Sequence, residues 1–128
     1  MSEITDSALI AALRRQMTVA AAKQVASAGN LANIDTPGYR AKEASFDDAL
    51  SKHMPAVRTT DGRQKDLADL EKPVIREIQG LPARRDGNTV QLDRELLTMG
   101  KAAGDFAAAQ TALAAKFRLV RYAINEGR

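Results

Sequence analysis

Apolar residues in the last third of the chain recur at alternating spacings of four and three over about four heptads. This repeat predicts a long straight helix from about Asp93 to Asn125 with a coiled-coil seam along one face. Such a helix would extend about 50 Å and needs a partner of similar length to cover it. The seam positions, apolar except for Gln110, are Leu92, Leu96, Met99, Ala103, Phe106, Gln110, Leu113, Phe117, Val120 and Ile124.

A thinner seam runs through the alanine-rich N-terminal segment, from about Thr5 to Asn33. Its spacing predicts a second long helix, and Pro37 forbids its continuation. The larger seam residues are Ile10, Leu13, Met17, Leu31 and Ile34, and the same spacing passes through Ala20, Gln24 and Ser27.

Each seam has a polar interruption, Gln24 in the first helix and Gln110 in the second. A polar layer can set the register of two packed helices. We therefore expect the helices to pack antiparallel with Gln24 level with Gln110. That register places Ile10 opposite Ile124, Met17 opposite Phe117 and Leu31 opposite Ala103.

The middle of the chain is polar and is punctuated by proline and glycine. Ser45 and Asp48 predict the start of a short helix reaching Lys52. Val74, Ile75 and Ile78 predict one short extended piece, and the rest of 53–88 is expected to be extended or irregular.

Together these patterns predict a mainly α protein, in which two long terminal helices pack as an antiparallel coiled-coil-like hairpin. A short helix and an extended, partly irregular middle segment join them. The expected divisions are 1–40 for the first helix and its closing turn, 41–89 for the middle, and 90–128 for the last helix. The first and last divisions form one helical unit.

The composition excludes several kinds of catalytic and metal-binding site. The 128 residues contain no cysteine and one histidine, His53. Disulfides, cysteine-based zinc sites and most catalytic triads are therefore excluded, and we expect no catalytic residues, no metal and no cofactor. The net charge of +3 and the pI near 9.4 are too mild to name a partner. Basic residues interrupt the apolar pattern of 1–26, so no secretory signal is expected there.

The sequence that follows the first helix carries one local motif. Proline and glycine at the second and third positions of the tetrapeptide 36–39 predict a type II turn, with a positive φ at the glycine. The two asparagines before it can bond backbone groups at the helix end. The motif residues are Asn30, Asn33, Thr36, Pro37, Gly38 and Tyr39.

Residues 30–40, Asn-Leu-Ala-Asn-Ile-Asp-Thr-Pro-Gly-Tyr-Arg, resemble the signature of the bacterial flagellar rod and hook family. The segments 86–96 and 116–124 resemble the C-terminal region of its short, proximal-rod members. The resemblance covers about 8–50 and 86–125, and Asp35 departs from it where a small residue is more usual.

This resemblance implies a structural subunit without catalytic activity. Its helices would pack helically with copies of itself and other rod proteins around the flagellar export channel, and the rod would transmit torque from motor to hook. The implied route is the flagellar type III export apparatus, without a cleaved signal peptide, to the periplasmic rod of the basal body. A further implied partner is the adapter that joins the rod to the membrane ring. No membrane span and no nucleic-acid partner are implied.

Two other interpretations of the sequence stay open. A small basic helical protein that binds nucleic acid would show affinity that falls steeply with salt. A coiled-coil export chaperone would form a stable folded dimer at micromolar concentration.

Phe117 is a large seam residue, and truncating a well-packed phenylalanine costs about 3–5 kcal/mol. We therefore expect Phe117→Ala to weaken rod assembly more than any single substitution between Arg58 and Arg85. Swimming motility measures the effect. Motility that survives Phe117→Ala but is lost through a substitution at 58–85 would contradict the prediction.

Overall fold

A computed structural model of the chain describes residues 6–46 and 72–126. Its elements in order are α1 (Asp6–Ala32), β1 (Lys42–Ser45), β2 (Val74–Glu77) and α2 (Leu92–Asn125). The two long helices pack against each other, and the strands form a two-stranded antiparallel ribbon beside them. The predicted fold class, mainly α with two long packed helices, is therefore confirmed.

Both helices begin where their sequences place acidic residues. Asp6 lies in the first turn of α1, and Asp93 and Glu95 lie in the first turn of α2. Negative charge there interacts favourably with the positive end of the helix dipole. The 27 residues of α1 and the 34 residues of α2 are also rich in alanine, the best helix former.

The ribbon pairs Lys42 with Glu77 and Ser45 with Val74. It buries Ala44 against the helices, and Ile78 just after β2 donates its N–H to the carbonyl of Ala41 at 2.9 Å. The extended piece predicted around Val74 and Ile75 is confirmed. Of the short helix predicted from Ser45 to Lys52, Ser45 is instead the last residue of β1, and 47–52 lie outside the described residues.

The interface between α1 and α2 is built from small side chains. Ala20, Ala26 and Ser27 are buried on α1, and Ala102 and Ala109 are buried on α2, a heptad apart. Small residues let the helices approach closely, but each contributes little apolar area. The described core therefore has little hydrophobic stabilisation of its own.

The predicted register of the helices is wrong. Asn30 bonds Glu95, and Lys116 pairs with Asp6 at 2.6 Å. Lys23 lines the same groove as Lys101, so Gln24 lies near Gly100, about ten residues from the level of Gln110. The pairings of Ile10 with Ile124, Met17 with Phe117 and Leu31 with Ala103 fail with it.

The physical reason lies at the end of the hairpin where α1 ends and α2 begins. A pair of alanine-rich surfaces is compatible with several registers, so a directional polar contact decides among them. Glu95 is 2% exposed, and its Oε2 accepts a hydrogen bond of 3.0 Å from Asn30 Nδ2. This buried pair, not the two glutamines, sets the register.

A double-mutant cycle tests the importance of that pair. Hydrogen bonds to a charged group contribute about 1.5–3 kcal/mol, so Asn30→Ala and Glu95→Ala should show a coupling energy of that size in urea unfolding. The exposed pair Asp6 and Lys116, treated in the same way, should give at most about 1 kcal/mol. Equal coupling energies in the two cycles would show that the buried pair has no special role in stabilising the fold.

Candidate functional site

The turn after α1 and the segment before α2, far apart in sequence, meet at the end of the hairpin. Gly38 donates its N–H to the carbonyl of Asp86 at 2.8 Å, and Thr89 donates its N–H to the carbonyl of Tyr39 at 3.0 Å. The Thr89 hydroxyl in turn accepts the N–H of Ala41 at 2.9 Å. We call this assembly of 30–42 and 84–95 the polar junction.

The geometry of the predicted turn is confirmed. Tyr39 donates its N–H back to the carbonyl of Thr36 at 3.3 Å, and Gly38 has a φ of 72°. Gly87, with a φ of 81°, lies directly beside it. A Cβ added to Gly87 would be only 3.4 Å from the Gly38 Cα. Two glycines therefore permit the two backbones to approach each other.

Asn88 binds the turn that follows α1 from across the junction. Its Nδ2 donates to the carbonyls of Asn33 at 2.9 Å, Ile34 at 3.1 Å and Thr36 at 2.8 Å, and its Oδ1 accepts the N–H of Val90 at 2.8 Å. The side chain is fully buried. One buried amide thus joins the turn after α1 to the segment before α2, and the carbonyls of Asn33 and Thr36 also accept backbone N–H groups within the turn.

Asn30 links α1 to both of its neighbours. Its Oδ1 accepts the N–H of Lys42 at 2.9 Å, and its Nδ2 donates to the carbonyl of Lys42 at 2.7 Å and to Glu95. The Tyr39 hydroxyl lies 3.4 Å from the same Oδ1. Asn30 therefore joins α1, β1 and α2 through one buried side chain.

The remaining motif residues act locally. Asn33 donates to the carbonyl of Gly29 at 2.8 Å and accepts from the Thr36 hydroxyl at 3.2 Å, while Pro37 is exposed at the tip of the turn. The motif therefore contains two classes of residue, those that build the turn and those that bond the rest of the chain.

Sequence reasoning missed three residues of the junction: Asn88, Thr89 and Glu95. The segment 86–96 was singled out only by its resemblance to the family, with no role for these side chains. The available signal was an Asp-Gly-Asn-Thr run immediately before a helix, which is typical of a tight turn with polar side chains that bond backbone groups.

The structure divides the predicted seam of α2 between two environments. The face towards α1 carries the buried Glu95, Ala102 and Ala109, with part of the seam at its edge. Of the predicted seam residues, the partly buried ones are Met99, Phe106 and Leu113, and the exposed ones are Leu96, Gln110, Phe117, Val120 and Ile124. Within 6–46 and 72–126, much of the large apolar surface of α2 thus remains uncovered.

The corresponding seam of α1 faces inwards. Five of its predicted residues are partly buried: Ile10, Leu13, Met17, Gln24 and Leu31. Because Lys116 lies about level with Asp6, the turns of α2 from Phe117 onwards extend past the first described residue of α1. Phe117 is 51% exposed and Ile124 is 68% exposed.

No strongly charged site accompanies these surfaces in the described residues. A groove of about 250 Å³ between α1, β1 and α2 is lined by charged side chains of both signs. The basic ones are Lys23, Lys42, Arg94 and Lys101, and the acidic ones are Glu43, Glu95 and Asp105. Within 6–46 and 72–126, no three His, Cys, Asp or Glu side chains are grouped so that they could hold a metal ion. His53 lies outside that part of the chain. No helix in the described ranges is long and apolar enough to span a membrane.

The two helices are held together at one end by the polar junction, and α2 exposes large apolar side chains. This arrangement is typical of a structural subunit. The chain is similar to the flagellar basal body rod protein FlgB of Bacillus subtilis, at 29% identity over 126 residues, covering 95% of this chain and 97% of the relative. It is 38% identical over 101 residues to the protein of the same name from Escherichia coli, covering 68% and 73%. The Salmonella typhimurium protein is 34% identical over the same shares.

The chain therefore belongs to the FlgB family and is a flagellar basal-body rod subunit. No family model matches it. All three relatives carry the name of a flagellar basal body rod protein.

Asn88 provides the test of the junction. Asn88→Ala removes the donor for three carbonyls and the acceptor for Val90, so we expect a loss of about 2–4 kcal/mol in the free energy of unfolding, measured by urea titration followed by circular dichroism. Asn125→Ala, at the exposed end of α2, is the matched control and should change it by less than about 0.5 kcal/mol. Similar losses in both variants would refute the role of Asn88 in holding the turn after α1.

Proposed function

We propose that this chain is a proximal-rod subunit that assembles helically around the flagellar export channel and transmits torque from motor to hook. Its partners are copies of itself, other rod proteins and the adapter at the membrane ring. It reaches the periplasmic rod through the type III export apparatus without a cleaved signal peptide. Its role is mechanical, and it carries out no catalysis.

The observation that carries this proposal is the uncovered apolar surface of α2. Leu92, Leu96, Phe117 and Ile124 are each at least half exposed, although they form one side of a long regular helix. Burying such side chains against neighbours stabilises an assembly in proportion to the area removed from water. Contacts of this kind that do not close into a ring generate a helical polymer.

The polar junction supports a load-bearing role. It joins α1, β1 and α2 through hydrogen bonds of the buried side chains of Asn30 and Asn88. Directional bonds at one end of the hairpin fix how the helices present their outer faces. A force applied to one helix would therefore pass to the other through the junction.

The test is complementation in the bacterium that carries this chain. Deleting its gene should abolish rods, hooks and swimming, and the wild-type gene should restore all three. Leu96→Asp and Phe117→Asp place a charge on exposed apolar positions and should fail to restore hooks, with the reduction at least tenfold in the number of hooks counted by electron microscopy.

The matched control is Gln79→Asp, which places the same charge on an exposed residue of the turn after β2. It should restore hooks to the wild-type number. Hooks and swimming in the deletion strain itself would overturn the proposal. Wild-type hook numbers with both helix variants would show that α2 is not part of the assembly surface.

A further inference from the structure

The polar junction contains a chemically reactive pair of residues. Asp86 is followed by Gly87, and the chain contains one other Asp–Gly pair, Asp61–Gly62. In such a pair the glycine nitrogen can attack the side-chain carbonyl carbon of the aspartate, and the absence of a glycine side chain leaves that approach unhindered. The product of this attack is an isomerised backbone, so Asp86–Gly87 is a candidate modification site.

The reaction needs no metal, oxidant or second protein. The nitrogen of Gly87 forms a bond to Cγ of Asp86, and one oxygen of the carboxyl group leaves as water together with the proton of the Gly87 N–H. The product is a five-membered cyclic imide. Water then opens the imide, and opening at the backbone carbonyl gives isoaspartate. The mass of the chain is unchanged, but its backbone now runs through the former side chain and is longer by one CH₂.

In the folded chain both reacting groups have other partners. Gly87 donates its N–H to the carbonyl of Arg84 at 2.9 Å, and Oδ1 of Asp86 accepts the N–H of Asn88 at 3.0 Å. An imide nitrogen carries no hydrogen, so ring closure removes the bond to Arg84. It also fixes the rotation about the Cα–C bond of Asp86, whose carbonyl accepts the N–H of Gly38 at 2.8 Å. The closed junction therefore opposes the reaction.

The backbone around the pair leaves little space for an additional CH₂. A Cβ added to Gly87 would already lie 3.4 Å from the Gly38 Cα. Three residues beyond Asp86, Thr89 donates its N–H to the carbonyl of Tyr39 at 3.0 Å. A longer backbone between these two points changes their spacing, so the bonds from Gly38 and to Tyr39 cannot both form as they do in the native chain.

We propose that Asp86–Gly87 is a site of spontaneous conversion of aspartate to isoaspartate, which the closed polar junction suppresses. Conversion takes place when the junction is open or the chain is unfolded, and a converted chain cannot rebuild the junction. The junction thus protects its own covalent structure. This inference does not depend on the proposed function.

The conversion rate of the purified full-length chain at neutral pH, in native buffer and in denaturing guanidinium chloride, tests the protection. Cleavage after lysine places the two Asp–Gly pairs on different fragments, and reversed-phase chromatography separates the isoaspartate form of each fragment. We expect Asp86–Gly87 to convert at least about tenfold more slowly in native buffer, because the rate is scaled by the fraction of time that the junction is open. Asp61–Gly62 provides the reference rate in denaturant.

Variants of the junction should remove the protection. Asn88→Ala should raise the ratio of the native rate to the denatured rate at least about threefold, and Thr89→Val, which loses only the bond from the N–H of Ala41, at least about twofold. Asn125→Ala is the matched control and should leave the ratio unchanged. The ratio cancels any effect of a substitution on the chemistry itself. Circular dichroism verifies that each variant is folded, and Thr89→Val carries the test if Asn88→Ala is not.

The converted chain tests the consequence for the fold. Asp61→Glu leaves one Asp–Gly pair, since glutamate would have to form a less favourable six-membered ring. This variant, converted in denaturant and returned to native buffer, should unfold at a lower urea concentration than unconverted chain taken through the same steps.

Three outcomes would each overturn the proposal. They are equal rates at Asp86–Gly87 in native buffer and denaturant, conversion of Asp61–Gly62 alone in denaturant, and a converted chain with the urea midpoint of its control. These are measurements on the purified chain, whereas hook counts decide the proposed function, so the two proposals fail separately.

Discussion

The carboxamide of Asn88 is the contact on which the rest of the structure depends. It donates to three carbonyls of the turn that follows α1, and it is fully buried where water cannot replace it. By holding the turn after α1 against the segment before α2, it determines where α2 starts. Asn30 and Glu95 then fix how far along α1 the second helix lies. Polar bonds, in a chain with few large core residues, thus supply the specificity of the fold.

The core is small because few large apolar side chains are buried. The largest fully buried side chains are Asn30, Asn88 and Ser27, and most of the apolar core is alanine. Alanine helices approach closely, so the hairpin is narrow, but it retains little hydrophobic stabilisation for itself. Large residues such as Phe117 remain outside. This distribution suits a rod subunit, because the same residues become buried when neighbours pack around it.

One helix therefore presents two surfaces with different uses. The face of α2 that carries Ala102 and Ala109 packs within the chain itself, whereas the side that carries Leu96 and Phe117 is exposed among the described residues. Neighbouring subunits that bury this exposed side through contacts that do not close into a ring would extend the assembly.

The sequence by itself determined both helices almost to the residue, the turn at Gly38 and the family. These features depend on local spacing, on the φ of proline and glycine, and on a contiguous motif. The register, the use of Asn88 and Glu95, and the exposure of Phe117 were decided only by tertiary structure. They depend on which distant segments meet, and an alanine-rich seam permits several alignments of similar energy. Buried hydrogen bonds between residues as far apart as Asn30 and Glu95 select one of them, and no local pattern encodes that choice.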